Sequence, residues 1–229
     1  MPTVLLVRHG LTDATGTALS GRTPGLHLNE RGRAQAAELA GRLATVPLAA
    51  LVSSPLERCW ETAQALARDG VEPQADERLL EVGYGEWTGR PLKELVKEPL
   101  WKVVQQHPSA AQFPGGEALA ATQARGVAAV RDWNARLGEQ ATYAVCSHGD
   151  VIKAILADAF GLHLDQFQRI VVNPCSVSVV HYTPTRPFVV RVNDVGGSVA
   201  DLLPPPKRAR RPRSAADRSG DAVVGGGAG

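Results

Sequence analysis

The sequence predicts a three-layer α/β/α sandwich with a mostly parallel central sheet, and three observations carry that prediction. Thr3–Val7 is a continuously apolar, β-branched run, the pattern of a strand buried on both faces of a parallel sheet. Similar short runs at Leu48–Ser53 and Thr142–Ser147 each lead directly into a helical pattern. Strand and helix patterns alternate along the chain, and 229 residues lie within the range that one such domain occupies.

The elements follow in order. After the first strand and a Gly/Thr-rich loop, Asn29 caps a helix through Leu43, with Ala36, Leu39, Ala40 and Leu43 at helical spacing. The 48–53 strand precedes a helix over 55–68, for which Ser54 is the expected N-cap and Pro55 the first helical residue. A short strand leads toward Glu81. Residues 90–115 carry Pro91, Pro99, Pro108 and Pro114 and are read as an irregular helical cap over the strand ends, where a leaving group would be recognised. A long Ala-rich helix over 117–137, the 142–147 strand and a helix over 149–160 complete the alternation. Ser176–Tyr182 and Phe188–Val192 are expected to pair as a hairpin. The catalytic domain is placed at 1–203. Residues 204–229, rich in Pro, Arg and Gly, are expected to form a disordered tail.

The chemistry gathers at the junctions. Arg8-His9-Gly10 closes the first strand, where open α/β sheets place their ligand crevice. Arg58 falls in the first turn of the second helix, and Ser147-His148-Gly149 forms another strand-to-helix junction. The glycine-punctuated loop Leu80–Gly89 supplies carboxylates. Phosphoryl transfer needs an in-line nucleophile, cations around the equatorial oxygens and an acid for the leaving oxygen. His9 meets the first need if one ring nitrogen is held by a backbone acceptor and the other stays unprotonated. Arg8 and Arg58 offer planar forks that match phosphate oxygens. His148 can donate one hydrogen bond when neutral and adds charge when protonated, as a phosphate neighbour favours; the backbone donors near Gly149 add to the anion site, and Thr12 adds a hydroxyl. For the acid, the residues alone leave Glu77, Glu81 and Glu86 in competition. Whichever acts needs a pKa raised from about 4.3 toward neutrality. Trp60, Trp87, Trp101 and Trp133 are read as core or pocket wall. His27, His107, His163 and His181 are read as exposed.

In combination these motifs resemble the histidine phosphatase superfamily, in its phosphoglycerate mutase-like branch. The resemblance runs from Arg8-His9-Gly10 through Gly21-Arg22, Gly32, Gln35-Ala36, Ser53-Ser54-Pro55, Arg58 and Thr62-Ala63. It continues through Glu81, Gly85, Trp87 and Gly89 to Ser147-His148-Gly149, covering roughly residues 1–195. More narrowly, the chain is similar to an actinobacterial subgroup that carries a phosphomutase label. The resemblance implies a phosphoglycerate mutase-like fold, no cofactor and no metal, and the roles above for Arg8, His9, Arg58 and His148. It singles out Glu81 as the acid. Thr15 stands where such enzymes commonly carry Asn, which implies a modified phosphate contact, and Thr15 and Arg22 are secondary site candidates. The Arg-Arg-Tyr-type insertion with which glycolytic mutases hold a second phosphate is missing, which weighs against the mutase label.

Composition narrows the class. Lys207, Arg208, Arg210, Arg211, Arg213 and Arg218, against Asp217 and Asp221, concentrate positive charge in the tail and leave the body slightly acidic. Such a body disfavours a nucleic-acid partner. Three cysteines without a CxxC point to a reducing cytoplasm. No leader is expected ahead of a strand that starts at residue 3, and no stretch approaches the roughly 20 apolar residues of a membrane span. The reading is therefore a cytoplasmic, metal-independent phosphatase that hydrolyses small phosphate monoesters through a phosphohistidine at His9. The alternatives are a phosphomutase with the same chemistry or a non-catalytic phospho-ligand or partner-binding protein. A small phosphorylated substrate is the expected partner, and a homodimer is allowed.

Overall fold

The computed structural model describes residues 1–68 and 70–197. The expected tail at 204–229 lies outside them. Six strands, β1 (Thr3–Arg8), β2 (Ala50–Ser53), β3 (Pro73–Ala75), β4 (Thr142–Ser147), β5 (Val177–Tyr182) and β6 (Pro187–Asp194), form one sheet in the order β3-β2-β4-β1-β5-β6. The first four run parallel, and β5 and β6 add antiparallel at one side. The expected mostly parallel sheet is therefore present.

The period of two along β1 and β4 divides the core. Val4, Leu6, Tyr143 and Val145 face one layer, which contains helices α5 (Leu119–Leu137) and α6 (Gly149–Phe160). Leu5, Val7, Ala144 and Cys146 face the other, with α1 (Glu30–Leu43) and α2 (Glu57–Leu66). Two apolar layers on a buried parallel sheet make the sandwich.

Local signals hold in detail. Asn29 accepts from the Gly32 amide at 2.9 Å and caps α1. Gly10 and Gly32 allow the start of α1 to press against the chain leaving β1. A Cβ on Gly32 would lie 2.1 Å from the Leu11 carbonyl oxygen, and one on Gly10 would lie 2.6 Å from that of Gly32.

Four expectations need correction. The second helix spans 57–66, not 55–68, and its N-cap is Leu56, which makes no side-chain cap bond. The Ser54 hydroxyl lies ahead of the helix, where it accepts from the Leu56 amide at 3.4 Å and from His148 Nε2 at 2.8 Å. The long helix begins at Leu119. Glu117 stays outside it, bonded to Arg125 and to the Gly83 amide. The segment 90–115, by contrast, is helical as expected: it contains two short helices, α3 (Leu92–Leu95) and α4 (Pro99–Gln106), each entered through a proline. Their buried Leu95 and Val104 join the α5/α6 layer, as do Phe113 and Trp87, on which Trp101 stacks at 6.3 Å. His181 is half-buried on β5 and bonded to the Thr3 hydroxyl at 3.0 Å, whereas His27, His107 and His163 are exposed.

Candidate active site

The carboxyl ends of β1 and β4 lie side by side, with Arg8 paired to Ser147. The next residue on each strand is a histidine, and the His9 amide donates to the Ser147 carbonyl at 3.0 Å. Over these ends opens a small pocket lined by Arg8, His9, Arg58, Glu81 and Tyr84. Thr15, Leu19, Ser20, Gly21 and Leu92 are among the remaining lining residues. The fold thus assembles five of the sequence-derived candidates, Arg8, His9, Thr15, Arg58 and Glu81, in one cavity.

His9 is 6% exposed, and its Nδ1 lies 2.8 Å from the Gly10 carbonyl oxygen. A carbonyl only accepts, so Nδ1 carries the proton and Nε2 keeps its lone pair. Burial, then Arg58 and Arg8, push the His9 pKa well below the usual histidine range. The ring is neutral near pH 7.

Both cations are buried, Arg8 at 2% exposure and Arg58 at 1%. Arg8 donates through Nη1 to the Val172 carbonyl at 2.8 Å, and its own carbonyl accepts from the Cys175 amide. The segment before β5 therefore wraps this guanidinium, a contact absent from the sequence reading. Arg58 donates through Nη2 to the Gly21 carbonyl at 2.7 Å and lies 3.2 Å from His148 Nδ1. Gly21 offers that carbonyl from a positive φ of 52°. The Nε and Nη1 groups of Arg58 are buried with no hydrogen-bond partner among the described residues.

His148 is fully buried and stands behind His9 and Arg58. Arginine only donates, so His148 Nδ1 accepts from Arg58 and Nε2–H donates to Ser54. Burial, then Arg58, hold its pKa well below the usual range. Of the two forms that the sequence left open, the neutral one is therefore resident. A direct phosphate contact would require the ring to release Arg58 or Ser54.

Glu81 is 4% exposed, whereas Glu77 and Glu86 are exposed, so burial separates the three competing carboxylates. Its Oε1 accepts from the Val82 amide at 2.9 Å. Burial, and then the charge of Asp150, raise its pKa to about 7 against the opposing pull of that amide, Arg58 and Arg8. Its backbone carbonyl accepts from Arg22 Nε at 2.8 Å and Arg125 Nη2 at 3.2 Å, and both arginines bind Glu117. Arg22 thus braces the loop from outside and does not line the pocket. Thr15 does line it. Thr12 is buried behind, with its hydroxyl 3.0 Å from that of Thr15. Gly149 is buried at the start of α6 and adds nothing to the wall. No helix among the described residues is long and apolar enough to cross a membrane. Cys59, Cys146 and Cys175 are buried free thiols.

A buried imidazole, two guanidiniums and a near-neutral carboxyl at the carboxyl edge of a parallel sheet define an anion pocket of the α/β enzyme class. Comparison with known proteins agrees. The family model of the histidine phosphatase superfamily (branch 1) matches residues 4–195. Phosphoserine phosphatase 1 of Hydrogenobacter thermophilus is 30% identical over 200 residues, covering 84% of this chain and 92% of that protein. Glucosyl-3-phosphoglycerate phosphatase of Mycolicibacterium vanbaalenii is 30% identical over 174 residues, covering 72% and 76%. Among solved structures, Bacillus stearothermophilus YhfR superposes with a TM-score of 0.78 at 28% identity, covering 86% of this chain and 98% of that one. The chain belongs to the histidine phosphatase superfamily and is a phosphomonoester hydrolase of that kind.

Proposed function

We propose that this enzyme hydrolyses small phosphate monoesters without a metal ion, through a phosphohistidine at His9 Nε2. The observation that carries the reading is Arg58. Burying a guanidinium with two N–H groups unanswered is costly, and an anion in the pocket removes that cost. Arg8 and Arg58 balance the phosphoryl charge, a task that in other phosphoryl-transfer sites falls to a metal ion.

The phosphoryl group sits against Arg8 and Arg58, with the Thr15 hydroxyl at the rim. His9 Nε2 attacks phosphorus, the bond to the ester oxygen breaks, and Glu81 gives its proton to that oxygen. The Glu81 carboxylate then takes a proton from water as the water oxygen attacks phosphorus. The P–N bond breaks, and inorganic phosphate and neutral His9 are released. His148 acts through Arg58, which its Nδ1 holds toward the pocket. The names of the two phosphatase relatives support transfer to water over transfer to a second substrate hydroxyl. The narrow pocket and its Leu92 wall favour a small leaving group.

The test is turnover of p-nitrophenyl phosphate in excess EDTA, with acid-stable and base-stable phosphoprotein followed after rapid quenching. Activity in EDTA, lost in His9→Ala together with base-stable phosphoprotein, is expected. Full activity in His9→Ala, or complete loss on chelation restored by a divalent ion, overturns the mechanism.

A further inference from the structure

The anion site sets a problem for its own acid. Arg8 from β1 and Arg58 from α2 face Glu81 and favour its ionised form, as does the Val82 amide. Yet a general acid must hold its proton near neutral pH. Something has to counter the two cations.

We propose that Asp150, in the first turn of α6, is a positioning residue that keeps Glu81 in its proton-bearing form, with Tyr84 fixing it against the pocket wall. The inference rests on Glu81 being the acid. Asp150 is fully buried. Tyr84, which lines the pocket, donates from Oη to Asp150 Oδ2 at 2.8 Å. From the far side Lys153 Nζ lies 3.3 Å from Asp150 Oδ1. The same ammonium donates to Gln168 Oε1 at 2.9 Å and lies over the Phe167 ring at 5.3 Å. Tyr84, Asp150, Lys153 and Gln168 therefore form a buried polar chain inside an otherwise apolar layer.

Stability does not explain this chain. A buried ion pair gains little over apolar side chains of the same volume, because desolvation offsets most of the attraction. Its order does suggest a use: Asp150 is the member bonded to the pocket-lining Tyr84, and Lys153 stands one step further from the pocket. In a buried setting such a charge is felt strongly by its neighbours. Glu81 responds first to burial and next to Asp150, and Tyr84 is pushed up by the same two causes. The other groups near the Glu81 side chain do not supply a negative charge. His9 and His148 are neutral, and burial keeps the Cys59 thiol protonated by pushing it up to about 12. Arg22 and Arg125 reach only the Glu81 backbone carbonyl.

The experiment is kcat/KM against pH for an alkyl phosphate, whose leaving group needs the acid, in the wild type, Asp150→Asn, Asp150→Asn/Lys153→Met and Glu81→Gln. The substrate's own ionisation is common to all four. The double substitution removes both charges together and guards against an unpaired buried lysine unfolding the single variant. Without the Asp150 charge, the alkaline limb should move down by about one pH unit. Circular dichroism should stay that of the wild type. An alkaline limb unmoved in the folded Asp150 variants overturns the role of Asp150. A wild-type limb persisting in Glu81→Gln instead overturns Glu81 as the acid.

Discussion

The rings of His9 and His148 meet edge to face, with centroids 5.3 Å apart and planes inclined at 61°. They follow adjacent parallel strands paired in register, so the sheet sets their approach. Both are neutral in the resting site. At Nδ1 His9 meets a carbonyl, and His148 meets a guanidinium at 3.2 Å and, further off at 3.7 Å, the Cys59 sulfur. The carbonyl and the guanidinium fix opposite tautomers. His9 is left with a free lone pair at Nε2, and His148 with a proton there.

Glu81→Gln separates protonation from binding. An alkyl phosphate should lose turnover by about 10²–10³-fold, and p-nitrophenyl phosphate by less than about tenfold in the phosphorylation step, because nitrophenolate departs without an acid. Phosphohistidine should accumulate, since water activation fails as well. Equal losses for both esters, measured by single-turnover kinetics, would mean that Glu81 only packs or orients.

Arg58→Lys keeps the charge and removes the fork. One ammonium cannot serve the Gly21 carbonyl, His148 Nδ1 and a phosphoryl group together. We expect kcat/KM to fall by about 10²-fold, with a folded protein by circular dichroism. A fall below threefold would show that charge alone suffices and that the two unanswered N–H groups are not the phosphate contacts.

The raised Glu81 pKa carries a stability cost with a defined sign. A carboxyl whose folded pKa of about 7 exceeds its unfolded value favours the neutral form. Its contribution is full below the unfolded pKa and is lost as pH rises through 7. Glu81→Gln should therefore stabilise the fold at pH 8 relative to pH 5, by on the order of 2–3 kcal/mol. Denaturant unfolding at the two pH values measures it. The same difference between wild type and variant at both would refute it.

Gly32→Ala and Gly41→Ala form a matched pair on α1. At Gly32 the new methyl meets the Leu11 carbonyl at 2.1 Å, so the backbone beside the site must shift, and a loss of about 2 kcal/mol or more follows. At Gly41 nothing lies within 4 Å, and helix propensity should give a gain of up to about 1 kcal/mol. Thermal unfolding of both variants checks the contrast. A neutral Gly32→Ala would show that the loop yields freely.

Much was legible before any coordinates. Asn29 as a cap, the strand at 142–147 and the helix at 149–160 are local signals, set by side-chain type and apolar period. Arg8, His9, Arg58 and Glu81 could be named because three of them sit at strand–helix junctions and a family resemblance singled out the fourth. Burial then gave an independent reason to choose Glu81 over Glu77 and Glu86.

Other features were not legible in the sequence because they depend on contacts between distant segments. Ser54 reads as an N-cap from its neighbours, yet its hydroxyl is held by a histidine 94 residues away. The neutral state of His148, the brace from Arg22, Arg125 and Glu117, and the chain from Tyr84 through Asp150 to Lys153 share that origin. The sequence by itself determined the alternating elements and the reacting groups, since periodicity and residue chemistry are local properties. Tertiary structure alone decided which groups are charged and which are held back from the pocket. Protonation depends on desolvation and on charges brought near by the fold, and neither exists until β1, β4, α2 and α6 converge.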